Sequence, residues 1–319
     1  MARFGLYLSL QHPADRDPRE LVAERLELVR FVREAGFDSV FAGQHFLVPD
    51  GVQMLQPVPM LARVAAEAEG LTLGTAVLVT TLLNPVEVAE HAATLAALAP
   101  GPFVLGVGLG YRPEEDAAFG VPDRRVSTFA GKLRVIRALL DGEEVTASGP
   151  GYALERARVT LSPQPRPELW VAATSDAGVQ RAAELGDAWL AAPSARLVEI
   201  ERQLELLRRW RGGEPTQMPA LREAVVAPTD EEALARASSF FDPRGTSSAG
   251  RVEHEPGRYI VGGPETAARE LQAVLDAGVD HVIFRVQRPG ISLDDAFQTL
   301  ELLARNVIPT LGTPLRSNR

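Results

Sequence analysis

The feature that most restricts the fold of this chain is an alternation. A short apolar or β-branched run is followed by a longer stretch with helical period, and the pair recurs from one end to the other. Eight runs read as strands, at residues 4–9, 38–42, 72–80, 103–109, 169–173, 188–191, 221–227 and 280–286. Strands separated by helices indicate βα units on a parallel sheet, because a parallel neighbour is reached only through a crossover that covers one face. The helix starts carry their own punctuation. Asp17-Pro18, Asn84-Pro85 and Gly263-Pro264 put proline at the first helical position. Thr229 with Glu232 matches the capping box, and Ser292 with Asp295 comes near it. Three helix-to-strand joints, Ala35-Gly36-Phe37-Asp38, Leu185-Gly186-Asp187 and Ala277-Gly278-Val279-Asp280, share a glycine able to take the left-handed conformation that closes a helix. Eight such units in 319 residues favour a closed (β/α)8 barrel, an α/β TIM barrel filling 1–319 as one domain, over an open doubly wound sheet.

Two segments interrupt the repeat. Residues 141–165 contain three glycines and three prolines and read as a hairpin-like insertion before strand five. Residues 240–258 are polar and rich in Gly and Ser, and they are expected to be either a mobile lid or a disordered stretch.

Charge and cysteine content narrow the function classes. Lys+Arg 33 against Asp+Glu 42 leaves −9 with no basic block, so neither nucleic acid nor an anionic membrane is the expected partner. The longest apolar stretch, 71–83, holds Gly74 and four threonines and is too short to span a bilayer; no secretory cleavage pattern follows the N-terminal run. The expected location is cytoplasmic, and the absence of cysteine fits a reducing compartment while removing thiol catalysis and thiolate metal sites. Neither an HExxH metal motif nor a GxSxG elbow is present, which leaves a metal site and a serine hydrolase without support.

In a barrel the chemistry is sought at the carboxyl ends of the strands. Strand four ends in Gly106-Val107-Gly108-Leu109-Gly110-Tyr111, where glycines two apart bare one face. That face is either a berth for a planar ring or a crowded interior that tolerates only glycine. Strand five runs into Thr174-Ser175-Asp176-Ala177-Gly178 before a helix; small hydroxyl residues there suit either a phosphate site at the positive helix end or an ordinary N-cap. His45, just past strand two, stands where an imidazole could exchange a proton with a substrate or cofactor, or serve structure alone. Glu114, Glu115 and Asp116 are candidates for acid–base work or for a solvated helix start.

At these segments the chain resembles the bacterial-luciferase-like flavin monooxygenase family. The matching stretches are 35–46 (AGFDSVFAGQHF), 71–85 (LTLGTAVLVTTLLNP), 103–120 (FVLGVGLGYRPEEDAAFG), 167–189 and 259–286. The resemblance implies a (β/α)8 barrel that binds FMN or the deazaflavin F420. It places Thr75 and Ala76, at the family's irregular peptide on strand three, behind the ring, Gly108, Leu109 and Gly110 beside it, and Thr174, Ser175 and Gly178 at the phosphate. His45, the catalytic candidate, matches the second of two adjacent family histidines, and Gln44 stands at the first, which is catalytic in some members. Ser127 and Gly131 stand where a phosphate-supporting Arg and its Glu are common, with Arg124 or Arg125 as substitutes. The activity implied first is a monooxygenase acting with reduced FMN and O2 on a small organic substrate, its flavin supplied by a separate reductase. An F420-dependent dehydrogenase or reductase on the same scaffold is the alternative, and a cofactor-free barrel with a binding role the second. A homodimer is expected from the same resemblance.

Overall fold

The computed structural model describes residues 2–237, 257–288, 291–312 and 315. Eight parallel strands close on themselves: β1 (Arg3–Tyr7), β2 (Ser39–Ala42), β3 (Thr72–Thr75), β4 (Phe103–Gly108), β5 (Glu168–Ala173), β6 (Ala188–Ala191), β7 (Pro219–Val226) and β8 (His281–Arg285). Each pairs with its chain neighbour in that order, and β8 returns to β1. The helices outside them are α1 (Pro18–Glu34), α2 (Pro57–Ala65), α3 (Pro85–Leu98), α4 (Pro113–Ala118), α5 (Arg125–Leu140), α6 (Asp176–Leu185), α7 (Leu197–Trp210), α8 (Asp230–Ala237), α9 (Pro264–Asp276) and α10 (Leu293–Leu302). Among the described residues no helix is long and apolar enough to cross a membrane.

Strands covered on both faces read as unbroken apolar runs, and all six residues of β4 are buried. The outward positions pack on the helices, while the inward ones fill the barrel. Phe41 and Trp170 stack with ring centroids 5.2 Å apart, and His281 sets its edge against both, at 5.8 and 5.5 Å. The His281 Nε2 and Ser39 Oγ share a hydrogen bond of 2.7 Å, which satisfies both groups inside this plug. The amino-terminal half of the barrel is therefore solid, and open space is left only toward the carboxyl ends.

The expected caps form as the sequence suggests. Asp17 and Asn84 accept from Arg19 and Val86 N–H at 2.8 and 2.9 Å, and Ser292 accepts from Asp295 N–H at 3.0 Å. The expected likeness of the three glycine joints holds for two: Gly36 and Gly278 have φ of +84° and +91°. Gly186 instead is extended at φ −106° and ends α6 by donating its N–H to Ala182. A Cβ on Gly186 would come within 2.9 Å of Val171 Cγ2, so a close approach to the neighbouring strand explains this glycine.

Three further departures matter for the site. The run 72–80 is two strands, β3 and a short piece at Leu78–Val79, parted by Ala76 and Val77, whose peptide bond is cis. A further parallel strand, Tyr259–Gly262, follows α8 in the described chain and pairs with the upper half of β7, whose lower half pairs with β8. The insertion at 141–165 holds an antiparallel hairpin of Val145–Gly149 with Tyr152–Ala157. Of the segment expected to be a lid, residues 240–256 lie outside the described residues.

Candidate functional site

A cavity of about 430 Å³ opens at the carboxyl ends of the strands. This is within the range of small-molecule and cofactor sites. Its walls are largely apolar, from Ala76, Val77 and Val79 on one side to Ala172, Leu190 and Leu221 on the other. Gly108 and Gly110 of the strand-four run and the turn before α6 border this same cavity. The glycine face, however, is not bare. A Cβ on Gly106 would run into the Thr75 carbonyl oxygen, and one on Gly108 would lie 2.6 Å from Val77 Cγ2. The irregular Thr75–Val77 segment thus occupies the room that these two glycines leave; Gly106 does not border the cavity, whereas Gly108 still does. Gln44 fixes this bulge: its backbone N–H donates to the Val77 carbonyl at 3.0 Å, and its side-chain carbonyl accepts from Val79 N–H at 3.1 Å.

One end of the cavity is suited to an anion. Thr174, Ser175, Gly178 and Arg181 line it. Ser175 is the N-cap of α6, its Oγ accepting from Gly178 N–H at 3.2 Å. Among the described residues the N–H groups of Asp176 and Ala177 have no partner, as expected of a first turn. Asp176 would oppose an anion here, but Arg202 takes its carboxylate in a bidentate pair at 2.8 and 2.7 Å. That pair holds the Asp176 carboxyl near 2, with help from Gln203. Arg181, one helical turn beyond Gly178, lies over the Phe129 ring at 5.9 Å and has no anionic partner among the described residues. A helix N-terminus with a spare guanidinium beside it favours a phosphate.

The other end carries the proton chemistry. His45 leaves β2 and borders the cavity with Tyr111. Its Nδ1 lies 3.2 Å from Glu115 Oε1, and its Nε2 lies 3.2 Å from the Tyr111 hydroxyl. Burial pushes the His45 imidazole below its ordinary pKa; Glu115 opposes the shift, while Arg112 and Arg285 add to it. Close by, the Tyr7 phenol is pushed above its usual range, chiefly by burial, so it is present as a neutral donor. Arg285 reaches the cavity beneath it, 5.4 Å from the Tyr7 ring and 3.4 Å from Glu223.

Of the residues singled out in the sequence, His45, Ala76, Gly108, Leu109, Gly110, Thr174, Ser175 and Gly178 all border this cavity. Thr75 does not; it is fully buried behind the wall, its hydroxyl donating to the Gly106 carbonyl at 2.7 Å. The two substitutes considered for the missing arginine are placed elsewhere. Arg125 is engaged by Asp116 at 2.8 Å and by the Gly110 carbonyl at 2.7 Å. Arg124 borders a separate polar hollow with Ser127 and Gly131. Sequence reasoning missed Arg181, Tyr7 and Arg285. The first had a signal, since 178 and 181 share a helix face. The other two occupy the last position of a strand, where barrel catalytic groups arise.

Comparison with known proteins gives four findings. The sequence pattern of the family described as luciferase-like monooxygenase matches residues 1–281. The F420-dependent glucose-6-phosphate dehydrogenase of Beutenbergia cavernae is 29% identical over 343 residues, covering 98% of each chain. The 4-hydroxyprotoasukamycin monooxygenase of Streptomyces nodosus subsp. asukaensis is 33% identical over 191 residues, 58% of this chain and 51% of that one. Among solved structures, monooxygenase RslO1 from Streptomyces bottropensis superposes with a TM-score of 0.82 at 22% identity, covering 97% and 99% of the two chains. At that identity the likeness concerns the barrel itself.

Proposed function

The chain belongs to the luciferase-like monooxygenase family and is an oxidoreductase of that family, and from this premise we propose that it transfers a hydride between a small organic substrate and F420 held in the cavity. The observation that carries the reading is that a single cavity joins the α6 N-terminus and Arg181 at one end to His45 at the other. Such a group fits the residues present. Arg181, Thr174 and the first-turn N–H groups of α6 would take its phosphate. The apolar faces of Val77, Val79, Ala172 and Leu190 would enclose its ring system, with Leu109 and Gly110 along the edge. When bound, the cofactor supplies the hydride-exchanging ring. The protein supplies orientation, exclusion of water by the apolar walls, and a proton acceptor at His45 Nε2. The choice of F420 rests on the F420-dependent relative that matches along 98% of both chains.

A second reading, reduced FMN acting with O2, has its support in the monooxygenase relative at 33% identity. It would need a reductase partner to supply the flavin. A homodimer is proposed with either reading, with light scattering as the check. Titrating the purified protein with F420 and with FMN, followed by cofactor fluorescence, separates the readings. Binding of F420, and bleaching of its visible band in the presence of a substrate, is the outcome expected. Binding of FMN alone would replace this reading with the second, and binding of neither would overturn both.

A further inference from the structure

Glu115 is 1% exposed, although it stands between Glu114, whose side chain is solvated, and Asp116, which pairs with Arg125. A carboxyl group this deep must be surrounded by donors. Its Oε1 receives the Phe46 N–H at 2.7 Å, the Arg112 guanidinium at 3.4 Å and the His45 ring at 3.2 Å. The first two can only donate, so this oxygen is organised as an acceptor, and the His45 nitrogen facing it must carry the hydrogen. Arg112 also donates to the Phe46 and Leu47 carbonyls at 2.7 and 2.9 Å, which ties the loop bearing His45 to the start of α4.

We propose that Glu115 is the positioning residue of His45: it holds the ring as the Nδ1–H tautomer and so reserves Nε2 as a lone-pair acceptor on the cavity side. The proposal rests on the reading of this cavity as catalytic. A neutral imidazole has one donor and one acceptor nitrogen, and which is which decides whether the ring can take a proton from a bound molecule. The Tyr111 hydroxyl donates to the reserved nitrogen at 3.2 Å and so marks the place of an incoming O–H. A substrate hydroxyl seated there would pass its proton to Nε2 as its carbon gives up a hydride to the oxidised deazaflavin, leaving a carbonyl and an imidazolium. Glu115, on the opposite side of the ring, would stabilise that cation. Gln44, at the neighbouring position, takes no part in this: its amide donates to Gln56 at 3.3 Å and accepts from Val79.

The charged and titratable groups facing His45 are Glu115 on α4, Tyr111 and Arg112 before it, and Arg285 from β8. Of these only Glu115 carries a negative charge. Replacing it with glutamine leaves Arg112 and Arg285 unopposed, so the His45 pKa falls further.

The test is long-range ¹⁵N–¹H NMR of the full-length protein without added cofactor, the His45 signals being assigned with His45→Gln. The wild type is expected to show protonated Nδ1 and bare Nε2 above its pKa. Glu115→Gln is expected to give mixed tautomers and the lower pKa, and Glu115→Asp to restore the Nδ1–H form in part. In turnover, the acidic limb of the kcat/KM profile of Glu115→Gln moves to lower pH as kcat drops, with KM little changed. A wild-type ring protonated on Nε2 overturns the proposal even if no variant folds, and so does an unshifted titration in Glu115→Gln. A correct tautomer in a protein that binds neither F420 nor FMN would keep the geometry and remove the function, so the two failures are distinguishable.

Discussion

Asp176 and Arg181 belong to one helix and carry opposite charges, and only Arg181 faces the cavity. The carboxylate is turned out and neutralised by Arg202, so the cationic end of the site owes its sign to a residue on α7 as much as to its own helix. Arg181→Gln is therefore expected to weaken a phosphorylated cofactor by about 10- to 100-fold, the value of one charge-assisted hydrogen bond. Riboflavin, which lacks the phosphate, should bind the variant and the wild type alike; equal losses for both in fluorescence titration would mean that Arg181 acts through packing. The same scale shows how far the sequence could be read. Glu114, Glu115 and Asp116 are three acids in a row with nothing to rank them. A helix turns about 100° per residue. It sends the first to solvent, the second into the protein against His45 and the third to Arg125. Their roles are set by what those three directions meet, and the partners come from distant parts of the chain.

At the scale of elements, all eight barrel strands were legible because each is an apolar run framed by helix caps, and those caps form as expected. Two features were not legible in composition. The break in residues 72–80 was expected only from the family resemblance, which puts an irregular peptide at Thr75-Ala76; the residues themselves do not distinguish Ala76-Val77 from the strand on either side. The strand Tyr259–Gly262 has only four residues and runs straight into the Gly263-Pro264 helix start, so its pairing with β7 depends on tertiary context. Of the two readings open for the β4 glycines, the crowded interior describes Gly106, which makes room for the adjoining strand, while Gly108 also borders the cavity. Gly106→Ala should accordingly displace the Thr75 backbone, a contact with no flexible side chain to yield. We expect a loss of about 2 kcal/mol or more, seen as a lower thermal midpoint by circular dichroism. An unchanged midpoint would mean that β3 can move aside at no cost.

Over the whole molecule, the plug of Phe41, Trp170 and His281 makes the lower barrel rigid, while the proposed ligand contacts come from β2, β4, α6 and the ends of β1 and β8. A ligand in contact with elements from both ends of the chain binds the folded state alone. At 100 times its dissociation constant it adds about 2.7 kcal/mol. For 319 residues that corresponds to a melting point about 4 °C higher. Differential scanning calorimetry with F420 tests this, and an unchanged melting point at saturation would contradict the placement. The pairing of β7 has one more consequence. Its lower half meets β8 and its upper half meets Tyr259–Gly262, so the β7–β8 ladder ends at Glu223 and Arg285 and the rim above it is no longer held by that seam. What the rim admits can be altered by redesigning it while the hydrogen-bonded hoop below stays untouched.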